Sequence, residues 1–285
     1  MRVLTEKAYT LWLPSVGQSQ PLLFDSPHSS HTFPLHSQLN ASQAQLKTGW
    51  DAFVEELWHP AVQHGASLLA ANFSRMYIDP NRSPTDIDAE LLAEPWPEEV
   101  VATPYSARGM GLIRRFALPN VPMYNGKLTV HDVQHRLDDY YWPYHRQLVR
   151  RLMHLHRQFG QVWHIDCHSM KSKGNAMNID AGKPRPDVVV SDGNGTTAAA
   201  GFTEHVATTF RELGFSVGIN DPYQGGHIVR RYGAPDKGFH SIQIELNRGL
   251  YMHEARFTKS DNFDTLQGQL TKVTEAILEY IQSNN

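Results

Sequence analysis

The chain has 285 residues, 40% of them apolar, enough to fill one sizeable core, and it reads as a single domain over 1–285. Twenty-six basic residues against 29 acidic ones give a net charge of −3, which exerts no general pull toward nucleic acid or an anionic membrane. The lone Cys167 excludes an intrachain disulfide framework, and no stretch is apolar for long enough to serve as a signal peptide or membrane span; a cytoplasmic protein is expected.

In chain order, strands are predicted at 22–25, 67–71, 162–167, 188–191, 215–219 and 240–245. Helices are predicted at 51–63, 130–157, 198–213 and 262–281. The last carries Leu266, Leu270, Val273, Ile277 and Ile281 at spacings of three and four, a stripe that should pack on a sheet. This alternation implies an α/β fold: a mostly parallel mixed sheet flanked by helices on both faces. Two long irregular stretches, 79–121 and 170–186, interrupt the alternation and are expected to wall or cover a cleft.

The most informative strand is Trp163-His164-Ile165-Asp166-Cys167-His168-Ser169. Side chains two apart share a strand face, so Asp166 and His168 point together while Cys167 points into the core. Phe24-Asp25-Ser26-Pro27-His28-Ser29 and Ile242-Gln243-Ile244-Glu245 close in the same way on a histidine or a carboxylate. Open α/β sheets bind ligands outside the carboxyl ends of their strands, so these three ends should converge. Two histidines and two carboxylates in one cleft suggest a divalent metal, zinc first, beside a general base. Most of the sixteen histidines need no such role: His131 and His135 lack the intervening Glu of a zinc-protease helix, and His154 and His156 lie on different helix faces. Ser29 and Ser169 lack a Gly-x-Ser-x-Gly elbow, and Gly193-Asn194-Gly195 lacks a Gly-Lys-Ser/Thr ending and reads as a turn.

Five motifs occur in order: Ser26-Pro27-His28-Ser29; Ser74-Arg75-Met76-Tyr77-Ile78-Asp79-Pro80-Asn81-Arg82; Asp166-Cys167-His168-Ser169; Gly225-Gly226-His227-Ile228-Val229-Arg230; and Ile242-Gln243-Ile244-Glu245 with Tyr251-Met252. Together they resemble the N-formylglutamate amidohydrolase (deformylase) family over about residues 20–255. The resemblance implies a fold like that of zinc-dependent carboxypeptidases and aspartoacylases. It also implies hydrolysis of an N-acyl acidic amino acid, typically N-formyl-L-glutamate in histidine breakdown.

By that resemblance His28 and His168 are metal ligands, joined by a carboxylate. The family's Thr-Asp-Trp run departs here to Thr48-Gly49-Trp50-Asp51. Gapless counting puts Asp51 on the aspartate; alignment by Thr48 puts Gly49 there. Asp51 is the expected third ligand, with a helix N-cap as its ordinary alternative and Glu55 as the fallback ligand. Zinc, or another divalent metal, on His28, Asp51 and His168 leaves Glu245 as the general base; the plainer alternative is an edge-strand carboxylate paired with Arg248. Asp166 either orients His168 or caps the next segment. Two substrate carboxylates call for guanidinium groups, and Asn81, Arg82 and Arg230 are the substrate-binding candidates, with Arg231 competing with Arg230 and ordinary salt bridges as the alternative. The expected partner is thus a small acidic N-acyl amino acid. Alternatives are a deacylase for another acyl group and a catalytically silent binder of an acidic metabolite.

Overall fold

A computed structural model describes residues 1–34, 38–174, 176 and 180–284. Eight strands form the main sheet: β1 (Arg2–Thr5), β2 (Tyr9–Leu13), β3 (Leu22–Ser26), β4 (Ser67–Ala71), β5 (Val162–Met170), β6 (Val188–Ser191), β7 (Val217–Ile219) and β8 (Phe239–Asn247). Their order is β1-β2-β4-β3-β5-β8-β6-β7. The central run β4-β3-β5-β8 is parallel, as is β6-β7, while β1-β2, β2-β4 and β6-β8 pair antiparallel. The expected mixed α/β sheet is therefore present. The β1-β2 edge is not among the strands expected from sequence: β1 is exposed along its whole length and leaves no pattern, and β2 buries only Leu11 and Leu13.

Helices cover both faces. The helices α1 (Val54–Trp58), α3 (Ala200–Glu212) and α5 (Phe263–Ser283) pack against Trp163, Ile165, Cys167, Ile242 and Ile244 on one side. The other side is covered by α2 (Trp142–Phe159), whose Tyr144, Leu148, Leu152 and Leu155 join a second core with Leu23 and Leu69. The anticipated stripe on α5 is buried residue by residue, Leu266, Leu270, Val273, Ile277 and Ile281 all being 3% exposed or less. Each such side chain contributes roughly 1.5–3 kcal/mol of burial.

Two helices differ from expectation. The helix expected at 51–63 starts only at Val54, because Phe53 sits at φ 64°, and it becomes a tighter helix over His59–His64 with Pro60 near its start. The long helix after residue 130 runs as Val130–Arg136, widens to a π-helical segment at Leu137–Tyr141 and resumes as α2. Pro143 has no N–H to donate back to the preceding turn, which accounts for the widening.

Candidate metal centre and active site

The parallel strands β3, β5 and β8 end on the same edge of the sheet. Their register places Glu245 beside His168 and Gln243 beside Asp166, with Asp25 beside Asp166 on the other flank. His28 follows two residues after β3. Alternation then sorts the faces of β5: Trp163, Ile165 and Cys167 enter the apolar core, whereas His164, Asp166 and His168 line a buried polar face.

Asp51 reaches this edge from the turn before α1. Its N–H donates to the His28 carbonyl at 3.0 Å, which ties the two segments together. The aspartate is thus not an N-cap: Phe53 holds that position without a side-chain bond. Its carboxylate is instead held by Arg248 Nη2 at 2.8 Å and by the Ser169 N–H at 3.3 Å. Gly49, the other candidate for the family's aspartate, lies against Met76, and a Cβ there would run into that thioether.

His28, Asp51 and His168 are buried and offer one donor atom each within 4.8 Å of one another. The two imidazole rings lie 4.6 Å apart. Both turn Nδ1 toward Asp51 Oδ2, at 3.5 Å from His28 and 3.1 Å from His168. Both rest Nε2 on another carboxylate, His28 on Asp79 at 2.7 Å and His168 on Asp166 at 2.8 Å. These outer carboxylates are themselves held. Arg75 grips Asp79 through Nε and Nη2 at 3.1 and 2.7 Å, and Asn81 Nδ2 donates to Asp166 at 3.1 Å. An acceptor on each distal nitrogen fixes the tautomer that leaves Nδ1 free to bind a cation. The donor set fits a divalent metal, and His28 Nδ1 is a buried atom with no hydrogen-bond partner among the described residues.

Electrostatics agree with that arrangement. Burial, then the Arg75 charge, lowers the His28 pKa and keeps the ring neutral, as a ligand must be. Burial opposes charge on His168 too, but Asp166, Asp51 and Glu245 outweigh it and raise its pKa well above the ordinary value. Burial likewise disfavours the charge on Asp51, yet the bond from His168, the adjacent His28 and the Arg248 charge carry its pKa well below the usual range.

Glu245 stands next to this group, buried, with Oε1 accepting from Gln243 Nε2 at 2.9 Å. Gln243 in turn accepts the Gly226 N–H at 2.7 Å, linking the carboxylate to the start of helix α4 (His227–Tyr232). Burial pushes the Glu245 pKa up to about 7, against the pull of His168. It lies on an interior strand rather than an edge, and Arg248 is engaged by Asp51 instead. Glu55, the fallback ligand, turns to Ser29 and is pushed up to about 7 by burial, outside the three-residue group.

A family model described as N-formylglutamate amidohydrolase matches residues 20–252. The chain belongs to that family. It is similar to the N-formylglutamate deformylases of Pseudomonas aeruginosa, 28% identical over 270 residues, and Pseudomonas putida, 29% over 268. Each alignment spans 91% of this chain and 93% of the relative. Among solved structures, the N-formylglutamate amidohydrolase from Ralstonia eutropha JMP134 superposes with a TM-score of 0.93 at 38% identity, covering 98% of this chain and all of that one. The chain is an amidohydrolase, and no helix among the described residues is long and apolar enough to cross a membrane.

The cleft over these strand ends is lined by His28, Asp51, His168, Glu245 and Arg248, and by residues of the two long connections: Asn81, Arg82, Tyr105, Met110 and Arg114 from one, Lys171 and Arg185 from the other. Both stretches therefore wall the cleft, as expected, although residues 175 and 177–179 of the second lie outside the described residues. Asn81 is buried with both ends of its amide engaged: Nδ2 donates to Asp166 and lies 2.9 Å from His168 Nε2, and Oδ1 accepts the Ile228 N–H at 2.8 Å. Arg82 lies over the Tyr105 ring at 3.8 Å and donates to the carbonyls of Met110 and Asn81. Arg230 is exposed, occupied by the carbonyls of Gly225 and Gln224, and lines an adjoining cavity instead. Sequence reasoning missed Arg114 and Gln243 as cleft residues; for Gln243 the signal was present, since it shares the Glu245 face.

Proposed function

We propose that this chain is a zinc-dependent N-formyl-L-glutamate deformylase, releasing formate and L-glutamate as in the histidine breakdown typical of its family. The reading is carried by one observation: three buried donors within 4.8 Å, each imidazole backed by its own carboxylate, next to a glutamate at the end of the neighbouring strand. His28, Asp51 and His168 would hold the metal. Zinc in such a site lowers the pKa of water to about 7 and polarises a carbonyl.

The protein's own groups do the rest. Glu245 Oε1 is occupied by Gln243, so Oε2 is the atom left to take a proton from the attacking water and pass it to the departing nitrogen. A pKa near 7 suits both halves of that transfer. Arg82 and Asn81 border the acyl amino acid, with Arg82 offering positive charge to a carboxylate. Elemental analysis of the purified protein should find one divalent ion per chain. Formate release from N-formyl-L-glutamate should stop with a chelator and return with zinc. Undiminished turnover in metal-stripped protein would overturn the metal assignment, and absence of formate release from the loaded protein would overturn the substrate.

A further inference from the structure

The cleft is rich in cations, and three of its guanidinium groups are already spent. Arg75 is paired with Asp79 at 2.7 Å, Arg185 with Asp180 at 2.6 Å and Arg248 with Asp51 at 2.8 Å. Arg82 has only carbonyl oxygens and an aromatic face. Arg114 stands apart from the other cleft guanidinium groups: like Arg82 it has no carboxylate partner among the described residues, and its Nε is also buried with no acceptor. The adjacent Arg115 makes the contrast plain, being paired with Asp88 and Glu90 on the far side of the same loop.

The backbone that presents Arg114 is firmly held. Leu112 and Ile113 are buried, at 0% and 2% exposure, in the second core. The Leu112 carbonyl accepts from the Asp79 N–H at 2.9 Å, and its N–H donates to Asp86 at 2.8 Å. The loop is thereby laced to the segment that carries Asp79, Asn81 and Arg82. Burial, then the charges of Arg75 and Arg82, push the Arg114 pKa down to about 9. A charged donor buried without an acceptor is costly, and a carboxylate entering the cleft would supply one to the Arg114 Nε.

We propose that Arg114 is the specificity-determining residue of this cleft, taking one of the two carboxylates of a dicarboxylic N-acyl amino acid. The inference rests on the deformylase reading and deepens it. The charges left over suit a dianion: after internal pairing, Arg82 and Arg114 are the two cleft guanidinium groups without a carboxylate, with the Lys171 ammonium beside them. Planar donors in a fixed fork favour carboxylate over other anions of similar size.

The test compares Arg114→Met with the unaltered enzyme on three substrates: N-formyl-L-glutamate, N-formyl-L-glutamine, which lacks the side-chain carboxylate, and 4-formamidobutanoate, which lacks the α-carboxylate. The loss of kcat/KM on N-formyl-L-glutamate should be roughly 100-fold, the scale of a charge-assisted bond in a closed site. For the analogue that lacks the carboxylate held by Arg114, the loss should shrink to less than about threefold. Equal losses on all three, or none on N-formyl-L-glutamate, overturn the proposal. A readout without turnover separates it from the deformylase reading. Glutarate should protect the unaltered protein against thermal unfolding more than butyrate does, and Arg114→Met should lose that difference. A variant that keeps it, or an unaltered protein without it, also overturns the role. Should Arg114→Met fail to fold, Arg114→Gln carries the same comparisons.

Discussion

The cleft has two halves of different construction. His28, His168 and Glu245 sit at the ends of strands whose parallel register fixes their separation. Arg82, Arg114, Lys171 and Arg185 come from long irregular connections that lean over those strand ends. The strand half is built for invariance: each imidazole is locked by a carboxylate, and each carboxylate by Arg75 or Asn81. The loop half supplies charge, and part of that charge is uncompensated. On the proposed function, chemistry is placed where backbone hydrogen bonds hold the strand ends, and selectivity where the chain can vary without disturbing them. Asp51 bridges the two, a loop residue made rigid by Arg248 and Ser169 from the ends of β8 and β5.

The sharpest way to break this division is Glu245→Gln. Gln preserves shape and the neighbouring Gln243 but cannot accept a proton, so kcat should fall about 1000-fold with metal content unchanged. A change confined to KM would put Glu245 in the recognition half. Next come Asp79→Asn and Asp166→Asn, which remove the charge behind each imidazole. Metal affinity, read by competition with a chelating dye, should drop roughly 10- to 100-fold for each. If either left affinity unchanged, the strand half would not be preorganised in the way its hydrogen bonds indicate. Arg82→Met addresses the loop half. KM for N-formyl-L-glutamate should rise roughly 10- to 30-fold with kcat nearly constant, and KM for an uncharged formyl amide should change little. Equal effects on both substrates would make Arg82 a support for the Met110 and Asn81 carbonyls instead of a carboxylate receptor.

The same division governs what could be read from the sequence. On β5 a period of two separates Asp166 and His168 from Trp163, Ile165 and Cys167, and the apolar residues announce the strand, so the shared face was legible locally. Ile242 and Ile244 did the same for Glu245. Asp51 was legible only by family resemblance, and the helix expected to begin there is displaced by the positive φ of Phe53, which a phenylalanine does not advertise. Arg114 could not have been chosen over Arg115 from the sequence. What distinguishes them is which has an acid across the loop, and Asp88 lies 27 positions before Arg115 in the chain. Likewise the plainer alternative for Glu245 pairs it with its near neighbour Arg248, whereas the fold gives Arg248 to Asp51, 197 positions away.

Acidity provides the finest probe of the strand half. Glu245 must be ionised to accept a proton, and burial holds its pKa up, to about 7 in the absence of a metal. Below that value it is protonated, so the proton-accepting step slows roughly tenfold for each further pH unit. A divalent cation next to the carboxylate favours its charged form, so in the loaded enzyme the acid limb of kcat/KM should lie below about 7. His168 works in the same direction on metal loading: its proton, stabilised by Asp166 and Asp51 against burial, must leave before Nδ1 can bind. Apparent metal affinity should therefore weaken as pH falls. Measured together, an acid limb of the loaded enzyme below about 7 and an affinity that declines with acid place both groups in one electrostatic unit. A limb near 7 in the loaded enzyme would separate Glu245 from the metal centre.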